Sequence, residues 1–565
     1  MASWEKYTVS DIVSEIDEEK FVLPVIQREL VWSEDKMVLL FDSLLKGNSF
    51  GGVIVIEEEK DTKSLFAFRA FSKDGNKQAS VNKEILSQRQ YFVIDGQQRL
   101  QTFYIGLKGS YFQKQLYFDL YSDYQNDFDF VFAVDDDKLP KSTKEERPIK
   151  DCLWYSAKDL LRKLKDTRDF DNVAEDLSDH FSVDSNEKIK CIKNNVKAFC
   201  INILYQESIG IAKVTVNKKY SEIENRQKIV ELFRRLNDGG TVLSALDLVA
   251  SKLKGFDYRM EGFIRKMEDS FKDIGLSPEN LIKLIFLLQD NNTKEMASVD
   301  VKDAEFAINN QQRIFNTINA LRIFLINAKL YDYYNSDSNR SFIPLFFIAY
   351  FIFHKSISDV EINSIWNKWE TNNVDYKPMK SWLFHSLING VFRSKGAGWI
   401  PYRTGISKLL ACIKNYKNQY FPANELMDVY LKHPLVFTTN YTIDNLDKLD
   451  SHFLFYLMYD CKRQIRANDI DHIMPYNILK EKQIDDAYIN SVKNFQLLDY
   501  GTNRGAKKGK SFSEWVNNPN YVKDKKTYIE THLIPSDETL WTENRFEEFA
   551  SERGQLILYK INSYL

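Results

Sequence analysis

Two short stretches in the last quarter of the chain hold the side chains best suited to catalysis. The first contains Asp471 followed by His472, and the second contains Asn494 and then Asn503. An imidazole titrates near neutrality and can take a proton from water, while a carboxylate can bind a cation that neutralises charge on a phosphorane-like transition state. The order Asp-His, Asn, Asn therefore predicts a one-metal site that hydrolyses phosphodiesters.

Each of these side chains has a predicted role. His472 is the general base, and Asp471 and Asn503 are the metal ligands, a hard oxygen set that suits Mg²⁺ or Mn²⁺ better than zinc. Asn494 is expected to hold the loop that carries His472 through side-chain bonds to the backbone. Neighbouring side chains on a strand point to opposite faces. Asp471 and His472 can therefore act together only if the strand ends at this pair and the backbone turns, and the nearby Pro475 favours such a turn.

A local excess of basic residues accompanies this predicted site. The net charge of the chain is -3, which provides no global basic field. Residues 461–510, however, hold ten Lys or Arg against six Asp or Glu. The predicted phosphate contacts lie at the start of a helix expected after the strand 495–498, and they are Arg504, Lys507, Lys508 and Lys510. The alternative is that Asp471-His472 is a turn and the asparagines are caps; the order of all four elements favours a site.

A second group of polar residues follows an apolar strand at 91–94. It consists of Asp95, Gly96, Gln97, Gln98 and Arg99, and a helix begins within it. Polar groups between the carboxyl end of a strand and the amino end of a helix are placed to meet an anionic ligand such as a nucleotide phosphate or a DNA backbone.

Two further polar clusters are candidates for the same ligand site. One is Gln27-Arg28, with Trp32 nearby, and the other comprises Arg235, Asn237, Gly239 and Gly240. The glycines would let the backbone approach a ligand closely. Each cluster alone is a weak signal, because polar residues at helix starts are usually caps and paired glycines are usually turns.

Composition and length limit the remaining possibilities. The chain has 565 residues, more than a single hydrophobic core accommodates, so several domains are expected. The five cysteines show no Cys-x-x-Cys spacing. This absence argues against a zinc ribbon and a disulfide framework, and it fits a reducing cytoplasm. The longest apolar run, Phe342 to Phe353, has twelve residues. Spanning a bilayer takes about 20 residues, so this run predicts a buried core helix and no membrane association.

Periodicity predicts three domains. Residues 1–254 alternate strand and helix signals, 255–444 read as consecutive helices, and 445–565 return to mixed signals. In the first domain Ser33 is predicted to begin a helix that Gly47 ends. Two segments there are expected to be peripheral: Glu57 to Gln90 as a variable polar excursion, and the acidic run Tyr117 to Asp137 as a solvated loop and hairpin.

Taken together, these motifs resemble a known family. The three N-terminal elements are similar to the ParB/sulfiredoxin-like domain of GmrSD-type, modification-dependent restriction enzymes, and the Asp471-His472 element with Asn494 resembles the His-Asn-His (HNH) nuclease domain fused to it. The resemblance covers roughly residues 10–255 and 445–515. It implies an α+β multidomain protein with a ParB/sulfiredoxin-like α/β domain, a helical middle domain and a C-terminal ββα-metal HNH-like nuclease domain.

The resemblance also implies function. The first domain would bind or hydrolyse NTP, either GTP or ATP, and sense modified DNA, and the last would cut or nick DNA in phage defence. Asp95 would be the NTPase acid and His472 the nuclease base. The other residues carried over as nucleotide or phosphate contacts are Gln27, Arg28, Gly96, Gln97, Gln98, Arg99, Arg235, Asn237, Gly239 and Gly240.

This sequence departs from the family's nuclease motif at two positions. Asn503 replaces the third histidine, and the lysine commonly found three residues beyond it is Lys507, four beyond. The helical middle domain leaves three roles open: reading the DNA modification, forming a homodimer or spacing the two sites. Two other functions also stay open, namely a nucleotide-regulated RNase or toxin, and a DNA-binding protein whose nuclease site has decayed.

Overall fold

The structure of the chain is a computed structural model. It describes residues 4–27, 30–48, 52–76, 85–134, 139–142, 147–216, 219–237, 245–291, 299–335, 340–365, 374–392, 402–431, 437–460, 469–499, 502, 507 and 509–565. Of the predicted site residues, Arg28, Gly239, Gly240, Asn503, Arg504 and Lys508 lie outside these ranges, as does the side chain of Asn237.

The chain divides into two compact units. Unit 1 is Met1–Gly262 with Met296–Glu305, and unit 2 is Phe263–Glu295 with Phe306–Leu565. The mixed helix and strand content agrees with the predicted α+β multidomain class. The proposed division into 1–254, 255–444 and 445–565 stays a prediction.

A six-stranded mixed sheet forms the centre of unit 1. Its strands are β1 (Trp4–Tyr7), β2 (Phe21–Pro24), β3 (Val53–Glu58), β4 (Phe68–Arg69), β5 (Gln90–Asp95) and β9 (Ile209–Thr215), in the order β1-β9-β3-β5-β2-β4. The pairs β9/β3 and β5/β2 are parallel, and the other three pairs are antiparallel. A second, antiparallel sheet has the order β7-β6-β8, with β6 (Gln115–Asp119), β7 (Phe130–Ala133) and β8 (Trp154–Ser156).

Strand β5 is buried on both faces. Tyr91 and Val93 belong to the larger of two apolar clusters, whereas Phe92 and Ile94 belong to the smaller one. Because successive side chains of a strand alternate between faces, β5 separates two cores and is held rigidly by both.

Helices form much of the rest of unit 1. They are α1 (Val9–Asp17), α2 (Glu34–Leu45), α3 (Gln97–Lys108), α4 (Ala157–Thr167), α5 (Phe170–His180), α6 (Asn186–Cys200), α7 (Glu222–Asn237) and α8 (Ala245–Phe256), with a π-helical turn at Ile201–Tyr205. Ser33 precedes α2 and Gly47 follows it, as predicted. Helix α9 (Arg259–Phe271) and α11 (Val301–Asn309) each contain a division between the two units.

The two segments expected to be peripheral in unit 1 contribute to its core, so both expectations were wrong in part. Within Glu57 to Gln90, strand β4 joins the sheet and Phe66 is fully buried. In the acidic run, β6 and β7 form the expected hairpin, but Asp119 is fully buried and pairs with Arg147 at 2.5 Å. A guanidinium that is distant in sequence compensates this carboxylate, which local composition does not reveal.

Unit 2 begins with helices. They are α10 (Pro278–Leu288), α12 (Gln311–Asn327), α13 (Tyr331–Asn335), α14 (Ile343–Phe353), α15 (Asp359–Ile365), α16 (Tyr376–Ile388), α17 (Tyr402–Lys414), α18 (Ala423–Leu431) and α19 (Ser451–Met458), with 3-10 turns at Lys272–Ile274 and Ile443–Lys448. Pro344 through Phe353 of α14 are all buried, which confirms the predicted core helix. Among the described helices, none combines the length and hydrophobicity needed to cross a bilayer.

A two-stranded antiparallel ribbon follows the helices of unit 2. It pairs β10 (Asp469–His472) with β11 (Phe495–Leu498), and β11 has the predicted bounds. Short elements surround it: α20 (Tyr476–Glu481), α21 (Asp486–Ile489), α22 (Phe512–Asn517), α23 (Lys525–Thr531), α24 (Phe546–Asn562), and 3-10 turns at Val492–Asn494, Glu538–Leu540 and Glu543–Arg545. Their apolar side chains share one core that includes Ile473, Met474 and Trp515.

Candidate functional sites

The β10/β11 ribbon positions Asp471 and His472. Asp471 lies opposite Gln496 and His472 lies opposite Phe495. His472 is the last residue of β10, and Pro475 caps the helix α20 that begins directly after it. Both residues thus lie within β10, and the strand ends immediately after the predicted base.

The imidazole of His472 rests against the ribbon. Its ring meets that of Phe495 edge-on at 5.0 Å between centroids and that of Tyr476 at 5.8 Å. Its Nε2 lies 3.0 Å from Oδ1 of Asn490, the residue that follows α21. These contacts support the ring. Because the side chain is only half-buried, solvent can still reach part of it.

Asn494 secures the turn that follows His472. Its side chain is fully buried; Nδ2 donates to the carbonyls of Met474 and Ile489, both at 3.1 Å, and Oδ1 accepts from the amide of Met474 at 3.0 Å. Its own carbonyl accepts from the amide of Ile473 at 2.7 Å. This is the bonding that the sequence analysis expected of Asn494, although its part in catalysis stays a prediction.

The carboxylate of Asp471 has different partners from the imidazole. Its Oδ2 accepts from Gln496 Nε2 at 2.8 Å and from Lys507 Nζ at 2.5 Å, and the side chain is 12% exposed. Gln496 in turn accepts from the hydroxyl of Tyr528 at 2.6 Å. Among the described residues no hydrogen bond joins Asp471 to His472, so the two side chains are fixed independently of each other.

Lys507 does not lie on the surface where a phosphate contact was expected. Its side chain is only 3% exposed, and its ammonium donates to Asp471 and to the carbonyls of His472 and Ile473. Burial lowers the pKa of this ammonium. The expectation failed because the anionic partner of Lys507 is a carboxylate within the protein. Lys510 is half-buried, with its amine 5.0 Å from the ring centre of Tyr521, and its predicted DNA contact stays a prediction.

A buried arginine that sequence reasoning missed completes this region. Arg553 of α24 is fully buried and donates to the carbonyls of Val492, Phe495 and His532 at 2.7–3.3 Å. Burial lowers the pKa of its guanidinium to about 10, so it stays charged at neutral pH. Two of these carbonyls flank Asn494 in sequence, and the guanidinium therefore ties α24 to the turn that leads into β11.

Gly96 makes the second predicted site possible in unit 1. It caps α3 with φ +88°, and a Cβ built on it would lie 2.8 Å from Cγ2 of Val53. Both facts favour glycine, because other residues rarely adopt this left-handed conformation and no room exists for a side chain. The turn places Asp95, at the end of β5, two residues before Gln97, where α3 begins.

Three residues that were predicted to contact phosphate make hydrogen bonds to the protein backbone, and their phosphate contacts stay predictions. Gln27 is 5% exposed and donates to the carbonyl of Val93 at 3.0 Å. Gln98 Oε1 accepts from the amides of Val31 and Trp32 at 2.9 and 3.3 Å. Arg99 donates to the carbonyl of Gly52 at 2.9 Å, and burial lowers its pKa. These side chains hold the surrounding loops in place.

Asp95 and Gln97 were also predicted to contact the ligand, and this too stays a prediction. The Asp95 side chain is 39% exposed, 3.7 Å from a guanidinium nitrogen of Arg99. Gln97 lines a cavity of about 290 Å³ together with Arg69, Ser72 and Gln101. By contrast, Arg235 is 70% exposed on α7 and pairs with Glu231 at 2.9 Å, and no described contact joins it to residues 95–99.

Unit 1 thus combines a mixed sheet, a helix that begins after a glycine cap, and a cavity lined in part by the first residue of that helix, Gln97. Residues 9–254 match the family model for the GmrSD restriction endonuclease, N-terminal domain. The chain therefore contains a domain of the GmrSD restriction endonuclease family, over less than half of its length. The comparison with curated proteins found no match.

The described side chains contain no conventional metal cluster. His, Cys, Asp and Glu form no group of three or more there that could hold a metal ion. The predicted site differs from such a cluster, since it consists of one carboxylate and one amide, and the amide of Asn503 lies outside the described ranges.

Proposed function

We propose that this chain is a nucleotide-regulated, metal-dependent DNA endonuclease that cuts or nicks modified foreign DNA in phage defence. The family match over residues 9–254 is the observation that carries the proposal, because it supports a restriction enzyme acting on DNA. The β10/β11 ribbon supports the position of the cutting site, since it holds an imidazole at a strand end that a buried asparagine secures.

In the proposed reaction His472 takes a proton from the attacking water. Its support by Phe495 keeps the ring in one place, which lowers the cost of aligning it with the phosphate. Asp471 would hold Mg²⁺ or Mn²⁺, with Asn503 as the second protein ligand. The carboxylate suits a metal ligand because both of its described hydrogen bonds end on Oδ2, and no described donor bonds to Oδ1. A divalent cation there would neutralise charge that develops on the phosphate.

The N-terminal domain would bind NTP beside Gly96. Asp95 would act as the NTPase acid, and Gln97 would contact the nucleotide in the cavity that it lines. Hydrolysis or binding of GTP or ATP there would regulate cutting by the C-terminal ribbon.

A digestion panel tests the proposal. The purified full-length chain is incubated with unmodified plasmid, modified phage DNA or total RNA, with Mg²⁺ or Mn²⁺, and with GTP, ATP or no nucleotide. We expect cutting of modified DNA that requires metal and responds to nucleotide. Cutting of RNA alone would support a nucleotide-regulated toxin, and no cutting of any substrate would support a DNA-binding protein without nuclease activity.

Matched variants separate the two sites. His472→Ala is expected to abolish cutting and leave NTP turnover, whereas Asp95→Ala is expected to remove NTP turnover or uncouple it from cutting. Exposed residues of the same types, His180 and Asp35, provide the control variants His180→Ala and Asp35→Ala. Equal loss of both activities in either site variant, with the fold intact by circular dichroism, would contradict separate sites.

A further inference from the structure

The contact between His472 and Asn490 determines which imidazole nitrogen is available as a base. An amide oxygen is only an acceptor, so the Oδ1 of Asn490 at 3.0 Å from Nε2 requires a proton on Nε2. A neutral imidazole carries one N–H, and its other nitrogen, Nδ1, is then the acceptor. The hydrogen bond made by one nitrogen thereby selects the other for proton transfer.

Asn490 and His472 are held at this distance by a third residue. Asn494 donates to the carbonyl of Ile489, which directly precedes Asn490, and also to the carbonyl of Met474, two residues after His472. One fully buried amide group therefore binds both segments that carry the partners of the hydrogen bond. The contact between Asn490 and His472 is built into the turn, although Asn490 itself is exposed.

We propose that Asn490 is a positioning residue that keeps the proton of neutral His472 on Nε2 and leaves Nδ1 to accept the proton of water. This inference rests on the proposed nuclease function and adds a residue to it. Phe495 and Tyr476 support the ring by contact, but neither provides a polar atom to Nε2 among the described contacts. In the described part of the site, only Asn490 places a hydrogen-bonding atom at an imidazole nitrogen of His472, and this contact makes the two nitrogens different.

Two substitutions of Asn490 separate tautomer control from general stability. Asn490→Leu removes the acceptor, and Asn490→Asp keeps an acceptor at the same place. Because Asn490 is exposed, neither should prevent folding. Asn520→Leu removes another exposed asparagine of unit 2 and serves as the matched control.

The first measurement is spectroscopic and needs no catalysis. The chain has seven histidines, so imidazole ¹⁵N labelling with long-range ¹H–¹⁵N correlation is tractable, and His472→Gln assigns the signal. At a pH where His472 is neutral, we expect a protonated Nε2 in the wild type and in Asn490→Asp, and a mixture of tautomers in Asn490→Leu. A wild-type signal from a protonated Nδ1, or an unchanged signal in Asn490→Leu, would overturn the proposal.

The second measurement is the cleavage rate on the DNA substrate found with the digestion panel. We expect the cleavage rate of Asn490→Leu to fall about tenfold or more, up to the roughly 10²- to 10⁴-fold that a general base contributes, and that of Asn490→Asp to recover most of the loss. Equal rates in Asn490→Leu and Asn520→Leu would overturn the positioning role. A wild type that shows the protonated Nε2 but cuts nothing would contradict the proposed function while leaving the tautomer assignment standing.

Discussion

Replacing Asn494 with alanine tests how firmly the turn after His472 is held. The substitution removes three side-chain hydrogen bonds, which join Nδ2 to the carbonyls of Met474 and Ile489 and Oδ1 to the amide of Met474. The side chain is fully buried, so water cannot readily replace these bonds. We therefore expect the turn to open more often in Asn494→Ala than in the wild type.

The size of the effect follows from the number of bonds. A typical intramolecular hydrogen bond contributes about 1 kcal/mol net, so the loss of three predicts a cost of about 3 kcal/mol for the closed turn. Since about 1.4 kcal/mol corresponds to a factor of ten, the population of the open turn should rise about 100-fold.

Amide hydrogen exchange measures this opening directly. In the native protein the amide of Met474 donates to Asn494 Oδ1, and the amide of Ile473 donates to the Asn494 carbonyl. Exchange of a peptide that spans 470–480 should accelerate by about two orders of magnitude in Asn494→Ala. Peptides from the buried helix α14 serve as the internal control, and their exchange should not change.

Two results would refute this reasoning. Acceleration by less than about threefold at Ile473 and Met474 would mean that Asn494 does not hold the turn, since one hydrogen bond alone predicts about fivefold. Equal acceleration throughout unit 2, including α14, would mean that the substitution destabilises the unit as a whole and does not open the turn selectively.

Three further predictions concern stability. Gly96→Ala should lower the urea midpoint of unit 1 by an amount equivalent to about 2 kcal/mol, because the left-handed conformation costs an alanine about 1–2 kcal/mol and its Cβ meets Val53; an unchanged midpoint would contradict this. Arg553→Met should lower the free energy of unfolding of unit 2 by about 3 kcal/mol, since three carbonyls lose their donor, and urea unfolding monitored by tryptophan fluorescence checks it. Burial lowers the pKa of His385 from 6.5 to about 4, so between these values the unfolded chain binds a proton that the folded chain does not, and stability falls as pH falls through that window. In His385→Gln, the slope of the free energy of unfolding against pH should be smaller by up to about 1.4 kcal/mol per pH unit. Urea midpoints between pH 7 and about 4 measure this slope, and an unchanged slope would show that His385 does not titrate as described.

Elements with a strong local signal were predictable from the sequence. The apolar positions after Ser33 repeat with helical spacing, and α2 forms there. The uniformly apolar run before Asp95 is typical of a strand buried on both faces, and β5 is such a strand. The strand after Asn494, β11, has the predicted bounds because the segment Phe495 to Leu498 is flanked by polar residues.

Long-range pairing was not predictable, because it depends on residues far apart in the chain. The acidic run containing Asp119 looked solvated, and only the fold brings Arg147 to this carboxylate. Lys507 looked like a surface cation among other basic residues, yet its ammonium is buried against Asp471. Composition reports the charge of a segment, whereas burial depends on the partner that the fold supplies.

The candidate site was predictable in its sequence pattern and not in its supporting contacts. Asn494 was expected to bond to the backbone near His472, and it does. Asn490 and Gln496 were missed, although Gln496 gave a signal: it is a polar residue in an apolar strand, and antiparallel pairing places it opposite Asp471. Pairing β10 with β11 from their sequences would have identified this contact.

The buried guanidinium of Arg553 bears on how the ribbon could be separated from the rest of the chain. Its hydrogen bonds reach back 58 and 61 residues to the carbonyls of Phe495 and Val492. A minimal cassette that spans only the two strands and the short helix α22 would lack this anchor, leaving those carbonyls without their cationic donor. Any transplantation of the ribbon into another scaffold therefore has to carry helix α24 with it.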